Sequence, residues 1–185
     1  RDMADRVAVM KRVWAGEKIT ESVLPVGPPP VQPGGPRLLI GATGPKSTRM
    51  AAEWADGLAG ITLDLDTGRQ NELFDVARAA WAEAGKPKPH LATSFWFALG
   101  EADAARAQVH RHLRHYMNWI PPEFVDAMAP TTGWSGSAEE LVATLRKFAA
   151  IGTSEVHLIP TSSDLDQVRR VADLVGGIDR VRWRR

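Results

Sequence analysis

Short apolar runs alternate with amphipathic segments along most of the chain. Strands are predicted where a short run is rich in aliphatic, β-branched or aromatic residues, at 37–41, 58–62, 90–99 and 155–159. Helices are predicted where apolar residues recur every three or four positions, at 3–15, 45–56, 69–84, 102–119, 137–152 and 166–175. The order is one helix, then four units of strand followed by helix, with one further helix at 137–152 before the last strand.

Two segments interrupt this order. Residues 16–36 contain six of the 13 prolines and are predicted to be an extended connecting loop, because proline lacks the backbone N–H that helices and sheets need. Residues 120–136 are predicted to be an irregular insertion, with room for a short helix at 122–128. Ser137 and Glu140 form a capping-box sequence that starts the next helix. Residues 1–185 are predicted to form a single domain.

Regular alternation of strands and helices indicates βαβ units and therefore a parallel sheet, because parallel strands need long crossovers. The predicted fold class is α/β. The pattern alone is compatible with a small open sheet and with half of an eight-stranded barrel. In both cases the carboxyl ends of the strands share one edge of the sheet.

The amino-acid composition limits the binding partners and the cellular location that we expect. The 23 Lys and Arg residues nearly balance the 22 Asp and Glu residues, so we expect no nucleic-acid partner. No apolar run is long enough for a membrane helix, and the charged first residues do not resemble a signal peptide. With no cysteine, we expect a cytoplasmic protein. The basic end at 180–185 is expected to be a solvated tail.

Histidines do not indicate a metal site. His110, His112 and His115 lie on one predicted helix, but no i, i+4 pair with a neighbouring glutamate places two of them together as ligands. We therefore expect no bound metal.

The turn after the first strand contains the strongest candidate chemistry. Gly41-Ala42-Thr43-Gly44 joins a strand to a helix, whose first amides lack internal partners and favour an anion. Glycines there allow a phosphate to approach the backbone, and Thr43, Ser47 and Lys46 add donors and charge. An ordinary strand-to-helix turn is the alternative. The spacing matches neither a Walker loop nor a dinucleotide fingerprint.

Several motifs together resemble the second half of the luciferase-like monooxygenase family. They are the helix before the proline loop, the string Leu-Leu-Ile-Gly-Ala-Thr-Gly-Pro-Lys at 38–46 with its continuation to Gly57, the segment Gly-Ser-Ala-Glu-Glu-Leu at 136–141, and the last strand with Pro160. The resemblance implies a (β/α)8 TIM barrel of the bacterial luciferase type, of which this chain supplies about the last four units. It also implies that the first half of the barrel precedes Arg1.

The resemblance further implies a cofactor and a reaction class. The family uses reduced FMN or a deazaflavin of the coenzyme F-420 type on small organic substrates. The cofactor-binding candidates are the turn residues together with Thr62, which follows the second strand: Gly41, Ala42, Thr43, Gly44, Lys46, Ser47 and Thr62. Most catalytic groups are expected outside this stretch, and a homodimer is expected.

Candidates for the substrate pocket come from the later strands. Phe95 and Phe97 share one face of the third strand and could line a pocket, although core packing is the simpler interpretation. His157 lies in the last strand and could reach cofactor or substrate. Two alternatives to an oxidoreductase remain open: a noncatalytic half-barrel that binds a ligand or partner, and a TIM-barrel phosphosugar enzyme.

Overall fold

Five parallel strands and seven helices are seen in the computed structural model, which describes residues 2–21 and 24–177. The strands are β1 (Leu39–Ile40), β2 (Gly57–Ile61), β3 (His90–Leu99), β4 (Trp134–Gly136) and β5 (Glu155–Pro160). The helices are α1 (Asp2–Trp14), α2 (Pro45–Ala51), α3 (Thr67–Glu83), α4 (Ala102–Tyr116), α5 (Pro122–Met128), α6 (Ala138–Ala150) and α7 (Leu165–Gly176).

The sheet confirms the predicted parallel order. β1 pairs with β2, β2 with β3, and β3 with β5, all in parallel. The short β4 pairs with the last three residues of β3. It lies just beyond the end of β2, where the Gly133 N–H donates to the Leu63 carbonyl over 2.7 Å. The carboxyl ends of all strands therefore face one edge of the sheet, which we call the carboxyl edge.

Side-chain caps fix the starts of α3, α6 and α7. Ser137 accepts a hydrogen bond from the Glu140 N–H, and the Glu140 carboxylate accepts one from the Ser137 N–H, so the predicted capping box is confirmed. Asp66 caps α3 by accepting from two backbone N–H groups, and Asp164 caps α7 in the same way with one.

Removing the Ser137 hydroxyl should weaken α6. We expect Ser137→Ala to lower the free energy of unfolding by about 1 kcal/mol, because one backbone N–H at the helix start loses its acceptor. Ser137→Thr keeps the oxygen and should retain most of the stability. Urea denaturation of the two variants measures the difference, and equal losses in both would show that the cap is not the cause.

Some boundaries differ from the prediction. α2 was expected to reach residue 56 but ends at Ala51. Asp56 is bonded to the residue before β1 instead of to a helix. Its N–H donates to the Leu38 carbonyl, and its carboxylate accepts from the Leu38 N–H. α4 ends at Tyr116 instead of 119, where a tight turn bonds the Ile120 N–H to Met117. The strand β4 was not expected.

The core consists of three clusters, two of which use alternate residues of β3. One cluster packs Leu58 of β2 and Leu91 of β3 beneath α2 and α3. The odd-numbered residues near the end of β3 pack beneath α6 and α7. Trp96 and Ala98 face the other way and pack beneath α4 and α5. Both faces of the carboxyl half of β3 are therefore covered, whereas its amino half is covered by helices on one face.

No helix within residues 2–21 and 24–177 combines the length and apolar character needed to cross a bilayer. The basic end at 180–185 lies outside the described residues.

Candidate functional site

The turn between β1 and α2 lies at the carboxyl edge and presents backbone donors. Gly44 is the N-cap, in an extended conformation with φ −144° and ψ 159°, and Pro45 begins the helix. Among the described residues, the N–H groups of Lys46 and Ser47 have no hydrogen-bond acceptor. The turn thus keeps the unpartnered amides expected of an anion site.

Side chains of the turn divide into two groups. The Ser47 and Thr48 hydroxyls both donate to the Gly44 carbonyl, over 2.9 and 3.0 Å. Ser47 therefore offers its amide to a ligand while its hydroxyl proton is used within the turn. Thr43 and Lys46 are exposed, so their side chains are free to meet a ligand from solvent.

A cleft of about 340 Å³ connects this turn to the loop after β2. Thr43 and Thr62, two of the predicted cofactor residues, both line it, as does Ala42. Arg69 and Gln70 from the first turns of α3 complete the polar part of its wall. Their position at the start of the helix that follows the second strand could have indicated them from sequence, although they were not among the predicted site residues.

Gly41, Gly44, Lys46 and Ser47 do not line this cleft. They belong to the adjoining turn, next to Ala42 and Thr43 in the chain.

Carboxylates control the charge of the cleft. Arg69 lies 2.8 Å from Asp64 and 3.6 Å from Asp66, so its guanidinium is bound within the β2–α3 loop. Burial alone would raise the pKa of Asp64, but the Asp66 N–H and the Arg69 guanidinium hold that pKa below its usual value. Leu65, between the two aspartates, has φ 54°, an uncommon value for a residue with a side chain. The two aspartates outnumber the one arginine in this loop, so the anionic group of a ligand is better placed at the β1–α2 turn.

The predicted pocket phenylalanines lie in the core. Phe95 and Phe97 are 0% and 2% exposed, and the Phe95 ring stacks on Phe148 of α6 at 5.7 Å. α6 covers their face of β3, and neither residue lines the cleft beside the β1–α2 turn. Core packing, the alternative considered from sequence, accounts for both.

An aromatic group lies on the opposite face. The Trp96 ring is 5.9 Å from His112 and 5.4 Å from Tyr116, both on α4. Burial lowers the pKa of His112, and the nearby His115 lowers it further, so His112 is neutral near pH 7. The i, i+4 spacing of His112 and Tyr116 was the available sequence signal for this group.

His157 lies on the side of the sheet that α4 and α5 cover only at the carboxyl end of β3, which we call the open face. In the strand register it stands beside Ser94, next to Ile61 of β2. Its side chain is 54% exposed and lies 3.6 Å from Glu155. His157 is therefore accessible from the open face, unlike the two phenylalanines.

Comparisons with known proteins bear on this geometry. A model of the luciferase-like monooxygenase family matches residues 1–158. The sequence matches none of the curated proteins with which it was compared.

Solved structures share the fold. An F420-dependent secondary alcohol dehydrogenase, solved with an F420-acetone adduct, is 19% identical with TM-score 0.66, and the match covers 93% of this chain and 60% of that one. Monooxygenase RslO1 from Streptomyces bottropensis is 19% identical with TM-score 0.62, with 91% and 56% covered. The oxygenating constituent of 3,6-diketocamphane monooxygenase from Pseudomonas putida, solved with FMN, is 13% identical with TM-score 0.58, with 94% and 60% covered.

This chain thus spans less than two thirds of the length of these structures. They are luciferase-like TIM-barrel enzymes, and the parallel α/β order seen here is the order of such a barrel.

Proposed function

Because the chain belongs to the luciferase-like monooxygenase family, we propose that the protein is an oxidoreductase that uses reduced FMN or a deazaflavin of the coenzyme F-420 type on a small organic substrate. One observation carries the proposal: the β1–α2 turn has unpartnered amides beside a cleft at the carboxyl edge. TIM-barrel enzymes build their active sites at that edge.

The turn suits the phosphate group that FMN and the deazaflavin have in common. The amides of Lys46 and Ser47 and the side chains of Thr43 and Lys46 would hold it, with Gly41 and Ala42 as the approach from the strand. A Cβ added at Gly44 would meet no atom within 4 Å, so the space in front of this residue is open. When bound, the flavin or deazaflavin supplies the hydride or oxygen chemistry, and the protein supplies position and electrostatics.

In this proposal the ring system of the flavin or deazaflavin lies along the cleft, past Thr62 and toward the open face. Thr62 is 6% exposed and lies in the wall of the cleft, with its N–H bonded to the Ser94 carbonyl. His157 is our candidate for the substrate pocket, because its exposed side chain lies on the open face. Phe95 and Phe97 are not retained.

Thr43→Ala tests the contribution of one side chain. A hydrogen bond to a charged group contributes roughly 1.5–3 kcal/mol, so we expect about 10-fold to 100-fold weaker binding of FMN or the deazaflavin by the full-length protein. Fluorescence titration measures the affinity. Thr131→Ala removes another exposed hydroxyl, which donates to the Met128 carbonyl and does not line the cleft, and it should leave affinity unchanged. Equal effects of the two substitutions would count against the assignment.

The described strands, on this proposal, are half of a closed barrel. β1 pairs only with β2 and β5 only with β3 in the described sheet, so each leaves one edge without a strand. On the open face, Ile61 is 41% exposed. We propose that further strands of the protein, or a second copy of the chain, cover these edges and this face. A cytoplasmic homodimer is part of the proposal.

Light scattering tests the half-barrel directly. The 185-residue chain on its own is expected to self-associate, because its strand edges and open face are uncovered. A monomeric, cooperatively unfolding chain would instead indicate a small closed α/β sheet.

A further inference from the structure

A second cavity lies at the opposite edge of the sheet, where the strands begin. Its volume is about 680 Å³. Six parts of the chain contribute to it: α1, residues 32–37, Asp56 before β2, Trp81 of α3, the segment that leads into β3, and the residue before β5. β3 has ten residues and rises about 3.3 Å per residue, so this cavity and the cofactor turn are separated by roughly the length of the sheet.

The cavity is lined by an excess of cations. Lys11, Arg37, Lys86 and Lys88 contribute four positive charges, and Asp56 is the one carboxylate among its lining residues. Close cations in a concave site repel one another unless an anion lies between them. Neither the sequence pattern nor the proposed oxidoreductase activity accounts for such a group at this edge.

Two of the ammonium groups are held by carbonyls instead of carboxylates. Lys86 Nζ donates to the Ala55 carbonyl over 2.6 Å, and Lys11 Nζ donates to the Trp54 carbonyl over 3.2 Å. Each ammonium has three N–H donors, so each keeps donors for a ligand. Burial lowers the pKa of Lys86, Asp56 partly opposes this, and Lys11 lowers the pKa further. Asp56 therefore compensates the positive charges of the two lysines only in part.

Arg37 is oriented by a histidine and not by a carboxylate. Its guanidinium lies 2.9 Å from His90 Nδ1, and His90 Nε2 lies 3.0 Å from Glu155. Because a guanidinium can only donate, Nδ1 accepts, and Nε2 carries the proton that is donated to Glu155. His90 thus separates Arg37 from that carboxylate. The charge of Arg37 remains available to the cavity.

We propose that this basic cavity binds a small, multiply charged oxyanion of the phosphate or diphosphate class. The site is separate from the cofactor turn, and it does not depend on the proposed oxidoreductase activity. Lys11 and Lys86 form its inner wall beside the end of α2, Arg37 is fixed by His90 at one side, and Lys88 closes it from the exposed segment before β3.

Isothermal titration of the full-length protein with pyrophosphate tests the site, in buffers matched in ionic strength with KCl. We expect saturable binding that weakens about tenfold or more in Arg37→Gln and in Lys88→Gln, because each removes a charged donor. Neither residue caps a helix, so thermal unfolding should confirm that both variants fold. Lys147→Gln, an exposed lysine on α6, is the matched control and should bind as the wild type does.

Three results would overturn the proposal. The first is the absence of saturable pyrophosphate binding to the wild-type protein. The second is equal binding by wild type, Arg37→Gln and Lys88→Gln. The third is binding that Gly44→Val abolishes and the cavity variants leave intact, which would assign the oxyanion to the cofactor turn. Loss in the cavity variants with full binding by Gly44→Val supports the proposal whether or not the cofactor assignment holds.

Discussion

Replacing Gly57 with alanine is expected to lower the free energy of unfolding by about 3 kcal/mol or more. This is at the upper end of the losses that follow when extra atoms are forced into a packed interior. Gly57 begins β2, beside His90 at the start of β3. A Cβ at this position would overlap the His90 carbonyl oxygen and lie 2.7 Å from both the carbonyl carbon and the amide nitrogen of His90. These are backbone atoms, so the two strands would have to separate where β2 and β3 begin to pair.

Gly60→Ala is the matched control for Gly57→Ala. It changes the same residue type in the same strand, but a Cβ at Gly60 would meet no atom within 4 Å. We expect Gly60→Ala to change the free energy of unfolding by less than about 1 kcal/mol. Urea denaturation measures both variants. If Gly57→Ala were as stable as Gly60→Ala, the close approach of β2 and β3 would be wrong.

Gly44→Val in the full-length protein is expected to abolish measurable binding of FMN and of the deazaflavin while leaving the protein folded. The valine side chain would occupy the open space in front of Gly44, where the proposed phosphate approaches the backbone. The fold should tolerate it, because φ is −144°, the conformation is extended, and a residue before proline favours that conformation.

Two measurements on Gly44→Val separate its possible effects. Thermal unfolding should match that of the wild type, and fluorescence titration should show no saturation by either cofactor. Unchanged affinity for both cofactors would refute the phosphate assignment. An unfolded variant would show that the turn is needed for stability, in which case Thr43→Ala is the variant that decides the assignment.

Local patterns were sufficient for most of the fold. The predicted strand at 58–62 is β2 at Gly57–Ile61, and the predicted strand at 155–159 is β5 at Glu155–Pro160. Apolar periodicity and the capping box at Ser137 involve residues close together in the sequence, so both can be recognised without knowledge of the tertiary structure. β4 was missed because its three residues pair only with the distant end of β3.

Tertiary contacts explain what the sequence could not predict about the candidate sites. Phe95 and Trp96 are both apolar, and only the packing of α6 and α4 on opposite faces of β3 distinguishes them. The cleft joins Thr43 to Thr62 and Arg69 through the register of β1 and β2. The basic cavity is assembled from six separate parts of the chain, each of which has an ordinary composition alone. The strand-to-helix turn itself was visible, because its chemistry is local.

The measurement that tests the central claim most directly is a comparison of cofactors with and without their phosphate. The full-length protein is titrated with FMN and riboflavin, and with the deazaflavin coenzyme and its phosphate-free chromophore, by fluorescence. If the β1–α2 turn holds the cofactor phosphate, one phosphate-bearing cofactor binds at least about 100-fold more tightly than its phosphate-free counterpart, since several charged hydrogen bonds are lost together. Equal affinity within both pairs, or no binding of either phosphate-bearing cofactor, would contradict the account.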